Sequence, residues 1–433
     1  MSAGALKLTG ALDDLAPQER ASLFNRSTSR DTAIRERTAQ IIARVRAQGD
    51  AALRDLAAEL DGARLESLEV PRKLWRRALD ELQENLRKAL ERSAANIERA
   101  HRAFLPRRAE VETEPGIRVG RRPDPLRIVG IYAPGGRATY PSSVLMAAVP
   151  ARVAGVSQVI VCSPPSRSGA PSPAVLAAAE LSQVDRLFAI GGAGAIAAMA
   201  YGTQTVPRVD RIVGPGNAYV VEAKIQVSGE VGIDLPAGPS ELLTIADSTA
   251  DPRVVAREML AQAEHDPNAS VITLALGRDV AAKIEAALRE ALPRATRGEA
   301  SEALAARGAL LCVSSAESAL EFAAEFAPEH LLLAIADAES ALEKVRSAGA
   351  VFVGETSSVA FGDYMTGANH VLPTGGLGRC YSGLSVLDFM RWTSYQRVDR
   401  AAAARLAEDV GVLAESERLP AHAEAALAWR QKA

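Results

Sequence analysis

Cysteine is rare in this sequence. The 433 residues include three, Cys162, Cys312 and Cys380, and no CxxC pair. This spacing excludes a zinc finger and a disulfide framework and is typical of a reducing cytosol, so we expect a cytoplasmic protein whose cysteines are incidental to its chemistry. Aromatic residues make up only 4% of the chain, which leaves little for base-stacking surfaces. Positive charge is not in excess, since 50 Lys and Arg face 53 Asp and Glu, and no nucleic-acid partner is expected.

Long apolar runs are also missing. The stretch "VLMAAVPARVAGV" comes nearest, yet Pro150 and Arg152 interrupt it, and a membrane span needs roughly 20 apolar residues. The first residues, "MSAGALKLTGALDDLAPQER", lack the continuous apolar core of a secretory signal. We therefore expect no membrane partner, and a length sufficient for two or three globular domains.

Short β-rich runs that end in Gly, Pro or Ser dominate the chain from Leu126 onward. One set reads "LRIVGIY", "SQVIVCS", "DRLFAIGG" and "DRIVGPG", and a second reads "SVITLALG", "ALLCVSS", "HLLLAIAD" and "AVFVGE". Helical stretches, several of them rich in alanine, separate these runs. Buried strands that alternate with helices predict parallel sheets of βαβ units, and thus an α/β fold.

The two ends of the chain have a different texture. Residues 1–28 are expected to form a short leading arm, followed by helices. A long charged amphipathic stretch contains His101, which we interpret as a surface or packing residue because nothing reactive lies near it in the sequence. From about Ser385 the tail is charged and predicted to be helical, with no strand signal, and it is a candidate for packing on a second subunit.

Three Gly-rich turns follow strands of the first set. Gly192-x-Gly194-x-x-Ala197 has the order of a dinucleotide fingerprint, but the acid that should close the next strand is misplaced, since Asp210 precedes "RIVG". The alternative is a tight strand-to-helix turn. Because ligands bind at the carboxyl ends of parallel strands, the turns predict one crevice, unless they are only turns. The residues placed to line it are Tyr132, Gly135, Gly136, Gly214, Gly216 and Asn217.

One of only five histidines lies in "MLAQAEHDPNAS". The spacing predicts a helix from Pro252 to His265, capped by Asp251. Gln262 and His265 are then three residues apart and face the same direction. His265 either complements the negative end of the helix or binds a metal ion with Gln262, Asp363 and one of the remaining histidines.

Glu329 and His330 are adjacent in "APEHLLL". In a strand their side chains would face opposite ways. A helical turn beginning at Pro328 would instead direct both into one site, where a carboxylate and an imidazole form an acid–base pair. The alternative is an acidic residue that only complements the helix dipole.

Together, seven stretches resemble the histidinol dehydrogenase family. They are "GIYAPGGRATYPSSVLM", "VDRIVGPGNAYVVEAK", "IDLPAGPSELLTIAD", "AQAEH", "EFAPEHL", "FGDYMTGANHVLPT" and "LPAHAEAALAWR", and they follow the family's order from about residue 30 to the C-terminus. The resemblance implies oxidation of L-histidinol through L-histidinal to L-histidine, the last steps of histidine biosynthesis, with two NAD and one zinc ion per active site.

The resemblance also implies residue roles. The zinc ligands would be Gln262, His265, Asp363 and His422. His330 would act as the base and Glu329 would activate water. Those six residues would contact the substrate, together with Ser240, His370 and Glu417. The NAD contacts would be Tyr132, Asn217 and the position of Gly194, where the family commonly has a glutamine; its absence would weaken NAD binding by about 1 kcal/mol.

The implied fold has two α/β domains with incomplete Rossmann-like parallel sheets and small helical segments at both ends. The expected divisions are an arm (1–28), a main domain with the metal and catalytic residues (29–131 and 240–384), an inserted cofactor-side domain (132–239) and a tail (385–433). The family is an intertwined homodimer, so Glu417 and His422 would act in the neighbouring subunit.

Two alternatives stay open on the sequence. The first is a related zinc- and NAD-dependent dehydrogenase of another polar alcohol, such as a sulfonated propanediol. A sulfonate would require an additional cation in the site. The second is a zinc-containing binding or regulatory protein with a decayed cofactor site, which Gly194 alone supports and which would have no use for Glu329 and His330.

Overall fold

The computed structural model describes residues 5–26, 31–135, 139–295 and 298–430. The strands in these ranges are β1 (Leu8–Ala11), β2 (Ala109–Glu114), β3 (Ile117–Pro125), β4 (Ile128–Tyr132), β5 (Gln158–Ser163), β6 (Arg186–Ala189), β7 (Arg211–Val213), β8 (Gly232–Ile233), β9 (Glu241–Ala246), β10 (Ser270–Leu276), β11 (Gly308–Val313), β12 (His330–Ala334), β13 (Ala350–Val353) and β14 (Met390–Val398). They form two parallel sheets and one antiparallel sheet.

The described ranges contain helices that cover both parallel sheets, together with two helices of the C-terminal tail that pack against each other. They are α1 (Pro17–Phe24), α2 (Thr32–Gln48), α3 (Asp50–Leu56), α4 (Arg72–Asp80), α5 (Glu84–Ala103), α6 (Pro141–Ala154), α7 (Pro173–Leu181), α8 (Gly192–Tyr201), α9 (Ala218–Val227), α10 (Pro252–Ala263), α11 (Arg278–Ala291), α12 (Gly298–Arg307), α13 (Ala316–Phe326), α14 (Ala338–Leu342), α15 (Val359–Tyr364), α16 (Arg400–Ser416) and α17 (Pro420–Leu427). The predicted α/β fold with parallel sheets is confirmed.

The six-stranded sheet has the order β1-β11-β10-β9-β12-β13, and all its strands are parallel. Strand β9 is buried along its whole length because helices lie on both faces. Leu242 packs with residues of α10, α11 and α12, whereas Leu243 packs on the other face with residues of α1 and α13. The continuous apolar runs of the sequence reflect this double coverage.

The N-terminal segment belongs to this sheet. β1 pairs in parallel with β11, and Leu23 of α1 joins the core beneath it. The structure thus differs from the predicted leading arm of residues 1–28, because its short apolar stretch adds an edge strand.

The five-stranded sheet has the order β6-β5-β4-β7-β8, also parallel. On one face, Ile41 of α2 and Leu53 of α3 pack with residues of α8 and α9. On the other, Trp75 of α4 and Ile97 of α5 pack with residues of α6 and α7. The helices between residues 31 and 103 therefore pack around this sheet, whereas the sequence assigned residues 29–131 to the other domain. The apolar pattern of these helices does not specify which sheet they cover, and only the tertiary packing shows it.

A third sheet, of order β14-β3-β2, is antiparallel. It corrects the prediction that the tail after Ser385 has no strand, since β14 spans nine residues. The strand reads "MRWTSYQRV" and is mostly exposed, so its sequence has no apolar run to reveal it. The remainder of the tail, α16 and α17, is helical as predicted.

The charged amphipathic stretch from Arg72 to Leu105 forms two helices, α4 and α5. Within α5, His101 is buried, and its Nδ1 accepts a hydrogen bond from the N–H of Val386 at 3.2 Å. Burial lowers its pKa from 6.5 to about 4. Of the two roles predicted for His101, surface or packing residue, the structure supports packing. Within the described ranges, no helix combines the length and apolar character needed to cross a bilayer.

Candidate active site between the two sheets

A cavity of about 400 Å³ lies between the two parallel sheets. The five-stranded sheet contributes the segments that follow its strands, including Pro134 after β4 and Asn217 after β7. The six-stranded sheet contributes the opposite ends of its strands, with Ser240 just before β9 and His330 at the start of β12. The rule that ligands bind at carboxyl ends therefore accounts for only half of this cavity.

Gln262 and His265 reach the cavity from the end of α10. As predicted, Asp251 caps the helix, because its carboxylate accepts from the N–H of Arg253 at 2.8 Å. The helix ends at Ala263, two residues earlier than predicted. Gln262 is 3% exposed, and its amide is therefore held at the cavity wall.

Asp363 enters from α15 and is 9% exposed. Burial opposes its ionisation, but interaction with the His330 imidazole and the fields of His370 and His265 outweigh that effect and lower its pKa. Asp363 is thus an ionised oxygen donor close to His265, as a metal ligand must be.

Glu329 and His330 share the same cavity, although not by the predicted route. There is no helical turn at Pro328: Glu329 lies in the bend before β12, and His330 begins the strand. The alternation of a strand does not apply to Glu329 because it precedes the strand. Its carboxylate Oε2 lies 3.5 Å from His330 Nδ1.

A hydrogen bond to a main-chain carbonyl defines the orientation of the His330 ring. Nδ1 lies 2.8 Å from the carbonyl oxygen of Glu241, and because a carbonyl only accepts, Nδ1 carries the proton. Nε2 is buried, makes no hydrogen bond to a described residue and lies 3.7 Å from Asp363 Oδ1. His330 is therefore an imidazole whose free nitrogen is directed toward the Asp363 side of the cavity.

The two catalytic candidates influence each other's protonation. Burial raises the pKa of Glu329, and the nearby His330 only partly offsets this. Burial lowers the pKa of His330, but the carboxylates of Glu329 and Asp363 outweigh it and raise the pKa overall. Two groups with such shifted pKa values in one cavity are suited to proton transfer near neutral pH.

Ser240 and His370 also line the cavity. The Nδ1 of His370 lies 2.9 Å from the carbonyl oxygen of Asp363, and its Nε2 lies 3.5 Å from the hydroxyl of Ser143. Burial lowers the pKa of His370, which favours the neutral form of the ring. Ser143 and its neighbour Tyr140 were missed as individual residues, and "YPSS", which follows a Gly-rich turn, was the only available signal.

The predicted cofactor residues separate into two groups. Asn217 lines the cavity, and its Oδ1 also accepts from the N–H groups of Tyr219 and Val220 at the start of α9. Tyr132 is not a lining residue: it is buried, its hydroxyl accepts from the N–H of Gly192 at 3.0 Å, and burial raises its pKa to about 12. The Gly192 turn is thus tied to β4, as a tight strand-to-helix turn requires.

Other glycines serve packing. A Cβ at Gly194 would lie 3.3 Å from Leu56 and 3.4 Å from Leu53, so this position faces α3 and not the cavity. Gly214 has φ +115°, and a Cβ there would lie 2.2 Å from the carbonyl oxygen of Tyr132. Gly216 does line the cavity, Gly135 does not, and Gly136 lies outside the described residues.

Glu417 and His422 are exposed and do not line the cavity of their own chain. Within the part of the chain that the structure describes, no group of three or more His, Cys, Asp or Glu side chains is arranged to hold a metal ion. Gln262, His265 and Asp363 contribute two such side chains and one amide, so their own chain supplies an incomplete ligand set.

A buried carboxylate–imidazole pair in a cavity between two parallel sheets is an arrangement typical of an enzyme active site. The family model described as "Histidinol dehydrogenase" matches residues 24–430. The chain belongs to the histidinol dehydrogenase family and is therefore an enzyme of this NAD-dependent class.

Individual relatives agree with the family match. The chain is 44% identical to a histidinol dehydrogenase of Methanosarcina barkeri over 96% of each chain. It is 47% identical to one of Natronomonas pharaonis, covering 96% of this chain and 97% of the relative. The crystal structure of histidinol dehydrogenase from Elizabethkingia anophelis superposes with a TM-score of 0.94 at 33% identity, over 99% of each chain. An acetylating aldehyde dehydrogenase from Geobacillus thermoglucosidasius, at 14% identity and a TM-score of 0.50, shares the fold alone.

Proposed function

We propose that the chain oxidises L-histidinol to L-histidine through L-histidinal, with one zinc ion in each active site and two NAD consumed per alcohol. The observation that carries this proposal is the meeting of Glu329 and His330 in one cavity with Gln262, His265 and Asp363. The identity of the substrate is inferred from the relatives named histidinol dehydrogenase. A cytoplasmic location stays a prediction from the cysteine content.

The donor set fits zinc. One imidazole, one ionised carboxylate and one amide oxygen are all nitrogen or oxygen ligands that zinc accepts, and they would come from His265, Asp363 and Gln262. Asn217 and its neighbours at the carboxyl end of β7 would hold NAD. When bound, zinc supplies an anchor for the substrate and NAD supplies the hydride acceptor.

His330 performs the proton transfers of both oxidations. Its Nε2 carries no hydrogen-bonded partner in the described chain, so it can accept the hydroxyl proton while the alcohol carbon loses hydride. The bond from Nδ1 to the Glu241 carbonyl holds the other ring proton, so Nε2 is the nitrogen that exchanges a proton with the substrate. In the second oxidation the same nitrogen accepts a proton from the aldehyde hydrate.

Glu329 produces that hydrate. A buried carboxylate whose pKa is raised toward neutrality is a stronger base than an exposed one. It takes a proton from water as the oxygen attacks the aldehyde carbon, while His330 returns the proton gained in the first oxidation to the aldehyde oxygen and becomes free to accept the second one. Ser240 and His370, on the same wall, would hold the substrate, and the neutral imidazole of His370 offers a hydrogen bond without adding charge.

We propose that a second copy completes the site with Glu417 and His422. Two features support a homodimer of this kind. The tail helices expose apolar side chains, with Val412 63% and Leu413 65% exposed. Beside His265 there is a cleft with apolar residues on its walls, among them Leu86, Leu90, Tyr140 and Tyr364. Burial of one apolar surface against the other would bring the tail of one subunit next to the ligand set of its neighbour.

Purified protein incubated with L-histidinol and excess NAD tests the proposal. We expect two NADH per alcohol, and loss of turnover after chelation of the metal with recovery on addition of zinc. One NADH per alcohol would show that the enzyme does not oxidise the aldehyde. Turnover of a sulfonated propanediol but not of histidinol would identify the sulfonated alcohol as the substrate in place of histidinol.

A further inference from the structure

Glu241, which the sequence did not single out, makes three hydrogen bonds to the Glu329–His330 pair. Its N–H donates to Glu329 Oε2 at 2.7 Å, and its own Oε2 accepts from the N–H of Glu329 at 3.3 Å. Its carbonyl oxygen accepts from His330 Nδ1 at 2.8 Å. One residue at the start of β9 therefore orients the carboxylate of one catalytic candidate and selects the tautomer of the other.

The carboxylate of Glu241 forms a buried ion pair with Arg26. Arg26 Nη1 lies 2.5 Å from Glu241 Oε2, and the two side chains are only 4% and 2% exposed. Arg26 Nη2 donates to the carbonyl of Phe326, and the guanidinium lies 3.6 Å from the centroid of that residue's ring. The N–H of Gly375 donates to Glu241 Oε1 at 2.7 Å. Each atom of the carboxylate is thus held in place.

Such a pair is not explained by stability alone. Burying two charges costs roughly as much as their attraction returns, and apolar residues of similar volume often stabilise a protein equally well. A catalytic constellation, by contrast, must be held to within about 0.5 Å of its productive geometry, which requires rigid neighbours. Glu241 touches the Glu329–His330 pair and Arg26 touches Glu241. Neither lines the cavity, so both act through the pair and not on the substrate.

We propose that the Arg26–Glu241 ion pair positions Glu329 and His330 for proton transfer. This inference rests on the proposed function, which assigns the proton transfers to those two residues. Arg26 compensates the buried charge of Glu241, and the carboxylate held in this way fixes the Glu241 main chain, whose N–H and carbonyl orient the side chains of Glu329 and His330. Loss of either partner leaves the cavity wall and the metal donors intact but misaligns the base and the water-activating carboxylate.

The test compares Glu241→Gln, Arg26→Met and Arg26→Lys in the zinc-loaded full chain. For Glu241→Gln and Arg26→Met we expect kcat to fall by about 10- to 100-fold, the range seen when a supporting partner is removed. KM for L-histidinol is expected to stay within about threefold, since substrate binding is unaffected, and zinc per chain is expected to be unchanged. Arg26→Lys retains the charge and is expected to recover part of kcat.

Arg20→Met is the matched control. Arg20 lies in the same N-terminal segment and pairs with Glu325, but both side chains are well exposed, at 39% and 51%. Exposed pairs contribute little, so this variant should keep the kcat of the parent.

Retention of the parent kcat in Glu241→Gln overturns the inference. So does an Arg26→Lys variant no more active than Arg26→Met. Because glutamine is nearly isosteric with glutamate, Glu241→Gln carries the test even where Arg26→Met does not fold. A parent protein that fails to oxidise histidinol refutes the proposed function itself, whereas an active parent with an equally active Glu241→Gln refutes only the positioning role.

Discussion

Lys224→Met removes the cation of another buried ion pair, which lies beside the five-stranded sheet. Lys224 and Asp234 are 2% and 1% exposed and form an ion pair. Lys224 Nζ also donates to the carbonyl of Gly214 at 3.1 Å, and Asp234 Oδ2 accepts from the N–H of the same glycine at 2.7 Å. The pair therefore holds the turn after β7 that leads to Asn217 at the cavity.

The expected loss of stability depends on the hydrogen bonds that Asp234 keeps when Lys224 is removed. Removing one member of a buried ion pair costs about 3–5 kcal/mol because the other charge is left unpaired. Asp234 keeps two main-chain donors, Gly214 and Leu235, each at 2.7 Å. These stabilise the anion, so we expect the lower end, about 3 kcal/mol. With an unfolding entropy of about 2 cal/mol/K per residue, this corresponds to a fall of roughly 3 °C in the unfolding temperature.

Thermal unfolding measured by calorimetry or circular dichroism provides the assay. The matched control is Lys88→Met, which removes an exposed pair with Glu84, the side chains being 71% and 81% exposed. It should change stability by less than about 0.5 kcal/mol. A second substitution, Asp234→Asn, should recover part of the loss in the Lys224→Met background, because it removes the unpaired charge. Equal unfolding temperatures for Lys224→Met and Lys88→Met would refute the reasoning.

Three further expectations concern the proposed chemistry and pH. Glu329→Gln should slow the oxidation of histidinal more than that of histidinol, because only the aldehyde step needs a base for water; equal slowing of both half-reactions would exclude that role. His422→Asn should lower zinc per chain in elemental analysis, and an unchanged zinc content would remove His422 as a ligand. His101 has a folded-state pKa of about 4 against 6.5 when exposed, so the unfolded state binds the extra proton, and stability is complete above pH 6.5 and declines as pH falls toward 4. The drop in unfolding temperature between pH 7 and pH 5 should be smaller in His101→Gln, and an identical drop would contradict this.

Secondary structure could be predicted from the sequence where the residue types impose a strong local preference. Asp251-Pro252 predicts the start of α10 because a carboxylate can accept from free N–H groups and proline loses no hydrogen bond there. Apolar runs such as "HLLLAIAD" predict buried parallel strands because both of their faces are covered. Strand β14 escaped because it is exposed and contains alternating polar residues with no apolar face.

The amino-acid sequence by itself determined the α/β class and most of the strands, since periodicity and capping depend on neighbours a few positions apart, while the set of site residues was implied by its resemblance to a family. Only the tertiary structure decided that α2 packs on the five-stranded sheet, that Gly194 faces α3, and that Glu329 and His330 meet without a helical turn. It alone revealed Glu241 and Arg26, 215 positions apart, as partners. Contacts of that kind depend on which apolar faces come together and on how the chain pairs its buried charges, and no spacing along the sequence encodes either.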